Sequence, residues 1–194
     1  MTLRPLAVVG ALVAATPALA ADYVVDGSHT RVGFSISHLT VSTVRGSFGE
    51  ASGTVSYDPK NIAATKVNAK VTVGSVDTRE AKRDEHLRSP DFFDAVKFPE
   101  MTFVSSSVKN IKKDGFDLVG DLTIHGVSKP VTLHVATFSP EVKDPWGNVK
   151  VGTHATGTIN RKDFGLTWNA ALETGGFVVG EEVALELDIE LKKN

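Results

Sequence analysis

After its first twenty residues the chain is dominated by period-two alternation of apolar and polar positions. In RVGFSISHL, Val32, Phe34 and Ile36 fall on one face and Gly33, Ser35 and Ser37 on the other, as in a half-buried strand. KVNAKVTV places Val67, Ala69, Val71 and Val73 opposite Lys66, Asn68, Lys70 and Thr72. EVALELDIELKK sets Val183, Leu185, Leu187, Ile189 and Leu191 against Glu182, Glu186, Asp188 and Glu190, which makes one oily and one acidic face. The same pattern predicts strands around Gly53 to Tyr57, Met101 to Val108, Phe116 to Ile124, Pro130 to Phe138 and Val151 to Ile159. Turn residues separate them: Asp58-Pro59, Lys113-Asp114-Gly115, His125-Gly126, Asp144-Pro145-Trp146-Gly147 and Gly175-Gly176. Many antiparallel strands with one apolar face imply a sandwich or a closed barrel.

One segment breaks the period. TREAKRDEHLR is rich in helix formers, with Asp77 as candidate cap and Glu80 at the third position, and Ser89-Pro90-Asp91 is placed to restart a turn of helix. A helical insertion over about 78–95 is therefore expected in an otherwise all-β domain. Asp84 and Glu85, four and three residues before Arg88, suit ion pairs on its surface. Leu87, Phe92 and Phe93 are placed to close one end of the fold beneath it.

The start of the chain reads as an export signal. Arg4 precedes an apolar run from Leu6 to Ala15, and Ala18-Leu19-Ala20 gives the small-x-small pattern that signal peptidase cleaves, so residues 1–20 are expected to be removed after Ala20. The run is too short to span about 30 Å of hydrocarbon. Residues 21–194 remain as a single domain without an internal repeat or linker, in a secreted, periplasmic setting. Composition narrows the function classes. A formal charge of −2 lacks the basic surplus that nucleic acid requires. With no cysteine, disulfides, thiolate catalysis and cysteine-ligated metal are excluded, so the core alone must hold the fold. No later apolar run is long enough for stable membrane insertion.

Small residues recur on faces expected to point inward: Ala51, Gly53 and Val55, then Val67 and Ala69, then Val151, Thr153, Ala155 and Gly157. An eight-stranded barrel lined this way can hold a ligand. A sandwich whose facing sheet fills the gaps fits the pattern equally well.

Several blocks together settle on a known family. FSISHL (34–39), SVDT (75–78), RDEHLRSPDFFD (83–94) with Phe98-Pro99 and Phe103, GDLTIHGVSKPVTL (120–133), DPWG (144–147) and NRKDFGLTW (160–168) resemble the YceI-like proteins, in order and across nearly the whole mature chain. The resemblance implies an antiparallel, lipocalin-like β-barrel of about eight strands with a helix packed at it. It also implies a lumen for a long polyisoprenoid, an isoprenoid quinone or a similar amphiphilic lipid, and a bacterial periplasmic location.

On that reading the wall residues are Val32, Phe34, Ile36, Phe48, Phe93, Phe103, Leu122, Ile124, Leu133, Ile159, Phe164 and Trp168, and His38, His86 and Arg88 are candidate contacts to a ligand head group. Buried apolar chain contributes about 0.8 kcal/mol per methylene, so a long tail needs few hydrogen bonds. The six histidines show neither H-x-x-x-H nor H-x-H spacing, and no metal or cofactor site is expected. Nucleophile elbows, P-loops and dinucleotide fingerprints are absent from the sequence. The competing function is an enzyme of isoprenoid or quinone metabolism using His38, His86 or a carboxylate such as Asp91 or Asp94 near the barrel mouth. Alternation leaves a homodimer open.

Overall fold

The computed structural model describes residues 21–173 and 175–194. The expected signal segment, residues 1–20 with its cut after Ala20, lies outside the described residues. The strands are β1 (Ala21–Val25), β2 (Arg31–His38), β3 (Ser42–Phe48), β4 (Ala51–Tyr57), β5 (Lys66–Thr72) and β6 (Val76–Asp77). They continue as β7 (Glu100–Lys112), β8 (Gly115–Ile124), β9 (Val127–Ala136), β10 (Val142–Lys143), β11 (Val149–Asn160) and β12 (Val179–Lys193), with one helix, α1 (Ala81–Arg88).

Register shows that the short segments are pieces of longer staves. β1 and β2 pair with successive stretches of β12, from Tyr23↔Lys193 to His38↔Val179. β4 and β3 pair with β1 and β2 in turn, and β5 and β6 pair with β4 and β3. Joined in this way, β1–β2, β3–β4, β5–β6, β7, β8, β9, β11 and β12 form eight antiparallel staves, each beside the next in sequence. β12 closes the ring, pairing with β11 without a break from Lys150↔Lys192 to Asn160↔Glu182. The seam between β9 and β11 is the shortest, with Ala155↔Val135 and Thr156↔His134 as its paired positions among the described residues.

Burial decides between barrel and sandwich. In a filled sandwich the apolar face of a central strand would be shut away. In β12, Val183, Leu185, Leu187 and Ile189 point inward yet are only half-buried, as are Val32, Phe34 and Ile36 of β2. They face space rather than packed atoms. Full burial occurs at both ends: Tyr23, Val55, Tyr57, Val151 and Leu191 cluster at the far end, and Ile124, Phe164 and Leu166 are buried at the other.

The helix corrects three expectations. Its N-cap is Glu80, whose carboxylate accepts from the amides of Lys82 (3.3 Å) and Arg83 (2.6 Å). Asp77 instead accepts from the Arg79 amide at 2.7 Å, in a turn where Arg79 has φ 63°. After Arg88 the helix does not restart, and residues 90–97 form turns with the Ser89 hydroxyl accepting from the Asp91 amide. The surface ion pairs to Arg88 are not formed. Asp84 is buried and accepts from the Thr78 amide (2.8 Å) and hydroxyl (2.6 Å), while Arg88 donates to the carbonyls of Gly74 (2.9 Å) and Val76 (2.8 Å). Two charged residues thus pin the helix to the strand that precedes it.

Candidate functional site: an apolar lumen

A cavity of about 540 Å³ runs inside the barrel, bordered by inward residues of every stave. The volume is that of a typical small-molecule or lipid site. Glycines in the wall shape it. A Cβ added at Gly46 would meet Phe34 Cζ at 2.5 Å, one at Gly120 would meet Phe103 Cζ at 2.5 Å, and one at Gly157 would meet Leu133 Cδ2 at 2.8 Å. Each large side chain therefore lies over a neighbouring strand's bare backbone, along the wall instead of across the axis. Of the small residues expected to hollow the barrel, Gly157 does so by letting Leu133 lie flat; Gly46 and Gly120 are not among them.

Of the expected wall residues, Val32, Phe34, Ile36, Phe48, Phe93, Phe103, Leu122, Ile124, Leu133, Ile159 and Trp168 border the cavity. Phe164 does not. It closes a 3-10 turn, Arg161–Phe164, and is sealed into the surrounding core at 1% exposure. His38 and His86 border the cavity, whereas Arg88 is turned onto the Gly74 and Val76 carbonyls and does not.

Register assigns the residues to two ends. The β2–β3 turn, α1, the β8–β9 turn and the segment between β11 and β12 gather at one end, the mouth. There His86, Phe92 and Trp168 form an aromatic triangle with ring centroids 4.9 to 5.2 Å apart. His86 Nε2 lies 3.0 Å from Asp91. At the far end Tyr57 stacks on Phe138 at 4.1 Å, and Phe138 lies parallel to Phe116 at 6.5 Å.

Sequence reasoning missed Arg161, which borders the cavity at 3% exposure. Its Nε donates to Gly180 O (2.8 Å), and its Nη1 donates to Leu166 O (2.5 Å) and Trp168 O (2.9 Å). Nη2 is buried without a partner. Burial pushes the guanidinium below the ordinary arginine value, and the charge of Glu181 acts the other way. The signal was present in the sequence: Arg161, one residue beyond β11, continues the inward parity of Ala155 and Ile159.

The remaining histidines lie beside single carboxylates or rings. His134 pairs with Asp117 (3.1 Å), His154 with Asp188 (3.0 Å), and His125 packs on Phe98. Asp26, His29 and Glu190 are spaced closely enough to suggest a cation site. Its position is taken by the Lys150 ammonium, which donates to Asp26 and, at 2.7 Å, to Glu190.

The model of the YceI-like domain matches residues 23–191. The chain belongs to the YceI-like family. This YceI-like chain is 45% identical over 167 residues to a UPF0312 protein of Pseudomonas savastanoi pv. phaseolicola, covering 85% of this chain and 86% of that one. It is 48% identical over 153 residues to protein YceI of Escherichia coli O157:H7, covering 77% and 78%. Among solved structures, the YCEI protein of Campylobacter jejuni superposes with a TM-score of 0.68 at 30% identity, over 81% of this chain and 90% of that one. A polyisoprenoid binding domain from Saccharophagus degradans shares the fold, with a TM-score of 0.62 at 18% identity over 91% and 100%.

Proposed function

We propose that the chain is a non-catalytic periplasmic carrier that holds one long-chain polyisoprenoid or isoprenoid quinone in the barrel lumen, for transport or storage. The observation that carries this is the half-burial of inward apolar side chains on β2 and β12, which face an open apolar tube instead of one another. Burying a tail against them contributes about 0.8 kcal/mol per methylene, so affinity grows with chain length while specificity rests on shape. The polyisoprenoid binding of the Saccharophagus domain, which shares this barrel, agrees with that cargo. The residues around His86 favour binding over catalysis: its Nε2 faces Asp91 at the surface, and its ring is packed between Phe92 and Trp168. The export signal in residues 1–20 supports the periplasm.

One measurement tests cargo and location together. The protein is recovered from the periplasmic fraction without detergent, weighed by native mass spectrometry, and extracted for lipid identification. The expected mass is that of a chain starting at Ala21 plus one isoprenoid lipid. A bare protein that also refuses added polyprenol and quinone overturns the carrier. An uncleaved chain retained in the cytoplasm overturns the location.

A further inference from the structure

The staves of the barrel are joined unequally. β8 and β9 pair without a break from Gly115↔Ala136 to Ile124↔Val127, and β11 pairs with β12 from Lys150↔Lys192 to Asn160↔Glu182. β9 and β11 meet at Ala155↔Val135 and Thr156↔His134 alone among the described residues. The same register carried on towards the mouth would set Gly157 against Leu133, Thr158 against Thr132 and Ile159 against Val131, and none of these pairs forms.

Residue identity explains why the ladder stops. Successive residues of an antiparallel strand turn their main-chain polar groups to alternate neighbours. In β9 the even-numbered residues face β11: the Ala136 carbonyl accepts from the Thr153 hydroxyl at 2.8 Å, and the Thr132 carbonyl lies 3.3 Å from where a Cβ on Gly157 would stand. On that parity the nitrogen of Pro130 faces β11 as well, and proline has no N–H to give. Below the two paired positions the Thr153 hydroxyl substitutes for a main-chain donor. Above them Pro130 has none to offer.

The wall is thin along the same line. Gly157 has no side chain, and its inner surface is covered by Leu133 and Leu185, whose methyls lie 2.8 and 3.9 Å from the position of an added Cβ. Outside it runs a groove bordered by Thr132, His134, Thr156, Gly157 and Thr158. Leu185 borders both this groove and the lumen.

We propose that the β9–β11 seam between Thr156 and the mouth is a side door, which parts to let the apolar tail of an amphiphile slip sideways into the lumen and then closes over it. The inference rests on the carrier reading and adds a route to it. Parting breaks few main-chain bonds, because most were never made, whereas any other junction of staves would have to break a longer ladder. A slit continuous with the mouth admits a long chain along its length, so the tail need not be threaded end first.

The chain has no cysteine, so Thr132→Cys with Thr158→Cys, both exposed on the outer face, gives a single disulfide across the seam. As control, Thr123→Cys with Ser128→Cys bridges the fully paired β8–β9 junction, where the two hydroxyls already lie 3.1 Å apart. Both proteins carry Trp146→Phe, and uptake of a long-tailed isoprenoid quinone is followed by stopped-flow quenching of Trp168, which borders the lumen. With the seam pair oxidised, uptake and release are expected to slow about tenfold or more at an unchanged dissociation constant, and reduction to restore both rates. The control pair is expected to keep its rates on oxidation. Equal rates in the oxidised and reduced seam pair overturn the side door and leave the carrier standing, and so does equal slowing in the control. Failure of the quinone to bind even the reduced proteins sinks the carrier reading and this one with it. Amide exchange on the unaltered protein decides the matter where the disulfide does not form. The Thr132 amide is expected to exchange about a hundredfold faster than those of Val131 and Leu133, which face β8, and equal protection of all three overturns the proposal.

Discussion

At the far end of the barrel, Tyr57 stacks on Phe138, Leu191 is 0% exposed, and the Tyr23 hydroxyl donates to Glu141 at 2.8 Å while Lys193 holds the same carboxylate at 2.6 Å. At the mouth, closure depends on a short helix, turns with left-handed residues at Leu39, Thr40, Arg79, Asp94 and His125, and arginines bonded to main-chain carbonyls. Large apolar side chains stand exposed at both ends, Val41 (80%), Val96 (96%) and Phe177 (55%) at the mouth and Trp146 (85%) and Val142 (61%) at the other. The strands entering both ends obey the same alternation. Both ends are packed, but the mouth adds a helix held to the chain before it by hydrogen bonds, which can give locally.

The contrast can be broken at either end. The largest effect is expected from Phe116→Ala, which removes a 2%-exposed ring from the far-end stack and should lower the unfolding free energy by about 3–5 kcal/mol in a denaturant titration. Next comes the mouth. Asp84→Ala deletes both hydrogen bonds to Thr78, and a loss of about 2–3 kcal/mol is expected, together with faster amide exchange confined to α1.

Titration should probe the β1 side of the barrel, away from the mouth, more gently. Burial, with Glu141 adding to it, pushes Tyr23 up to about 12, so its contribution is complete below pH 10 and is lost as pH rises through 12. Asp26, held well below the usual carboxylate value first by Lys150 and then by Ser28 and His29, contributes above about pH 4 and loses that contribution as pH falls further. Melting temperatures across pH should therefore fall at both extremes, with Tyr23→Phe flattening the alkaline limb and Asp26→Asn the acid limb. The smallest effect is expected at Lys162, whose pair with Glu181 is about half exposed on the outer face of the mouth. Lys162→Ala should change stability by no more than about 0.5 kcal/mol.

Much of the wall was legible because parity carries face: once Val32 points in, Phe34 and Ile36 follow. Parity cannot say whether the inward face meets another sheet or empty space, which is why alternation alone leaves sandwich and barrel equal and only the family resemblance points to the barrel. It also fails where the period changes. Phe164 was expected in the wall, but the 3-10 turn Arg161–Phe164 redirects it into the core. At the helix, DTRE offers two capping carboxylates, and the local backbone chose Glu80, leaving Asp77 to a turn. Arg88 was read as a ligand contact from its charge alone, and the carbonyls it meets come from a segment twelve to fourteen residues earlier. Arg161 was missed for another reason, since its inward parity was legible and only its charge argued against an inward reading.

The final strand has a consequence for how the molecule comes into being. β12 supplies partners to β11 on one side and to β1 and β2 on the other, joining the beginning of the folded chain to its end. Until that strand arrives, the nascent polypeptide is an open sheet with its oily face uncovered, and no lumen exists. Such end-to-end pairing makes closure late and slow relative to hairpin formation. A chain emerging N-terminus first must therefore extend through β12 before the barrel can enclose anything.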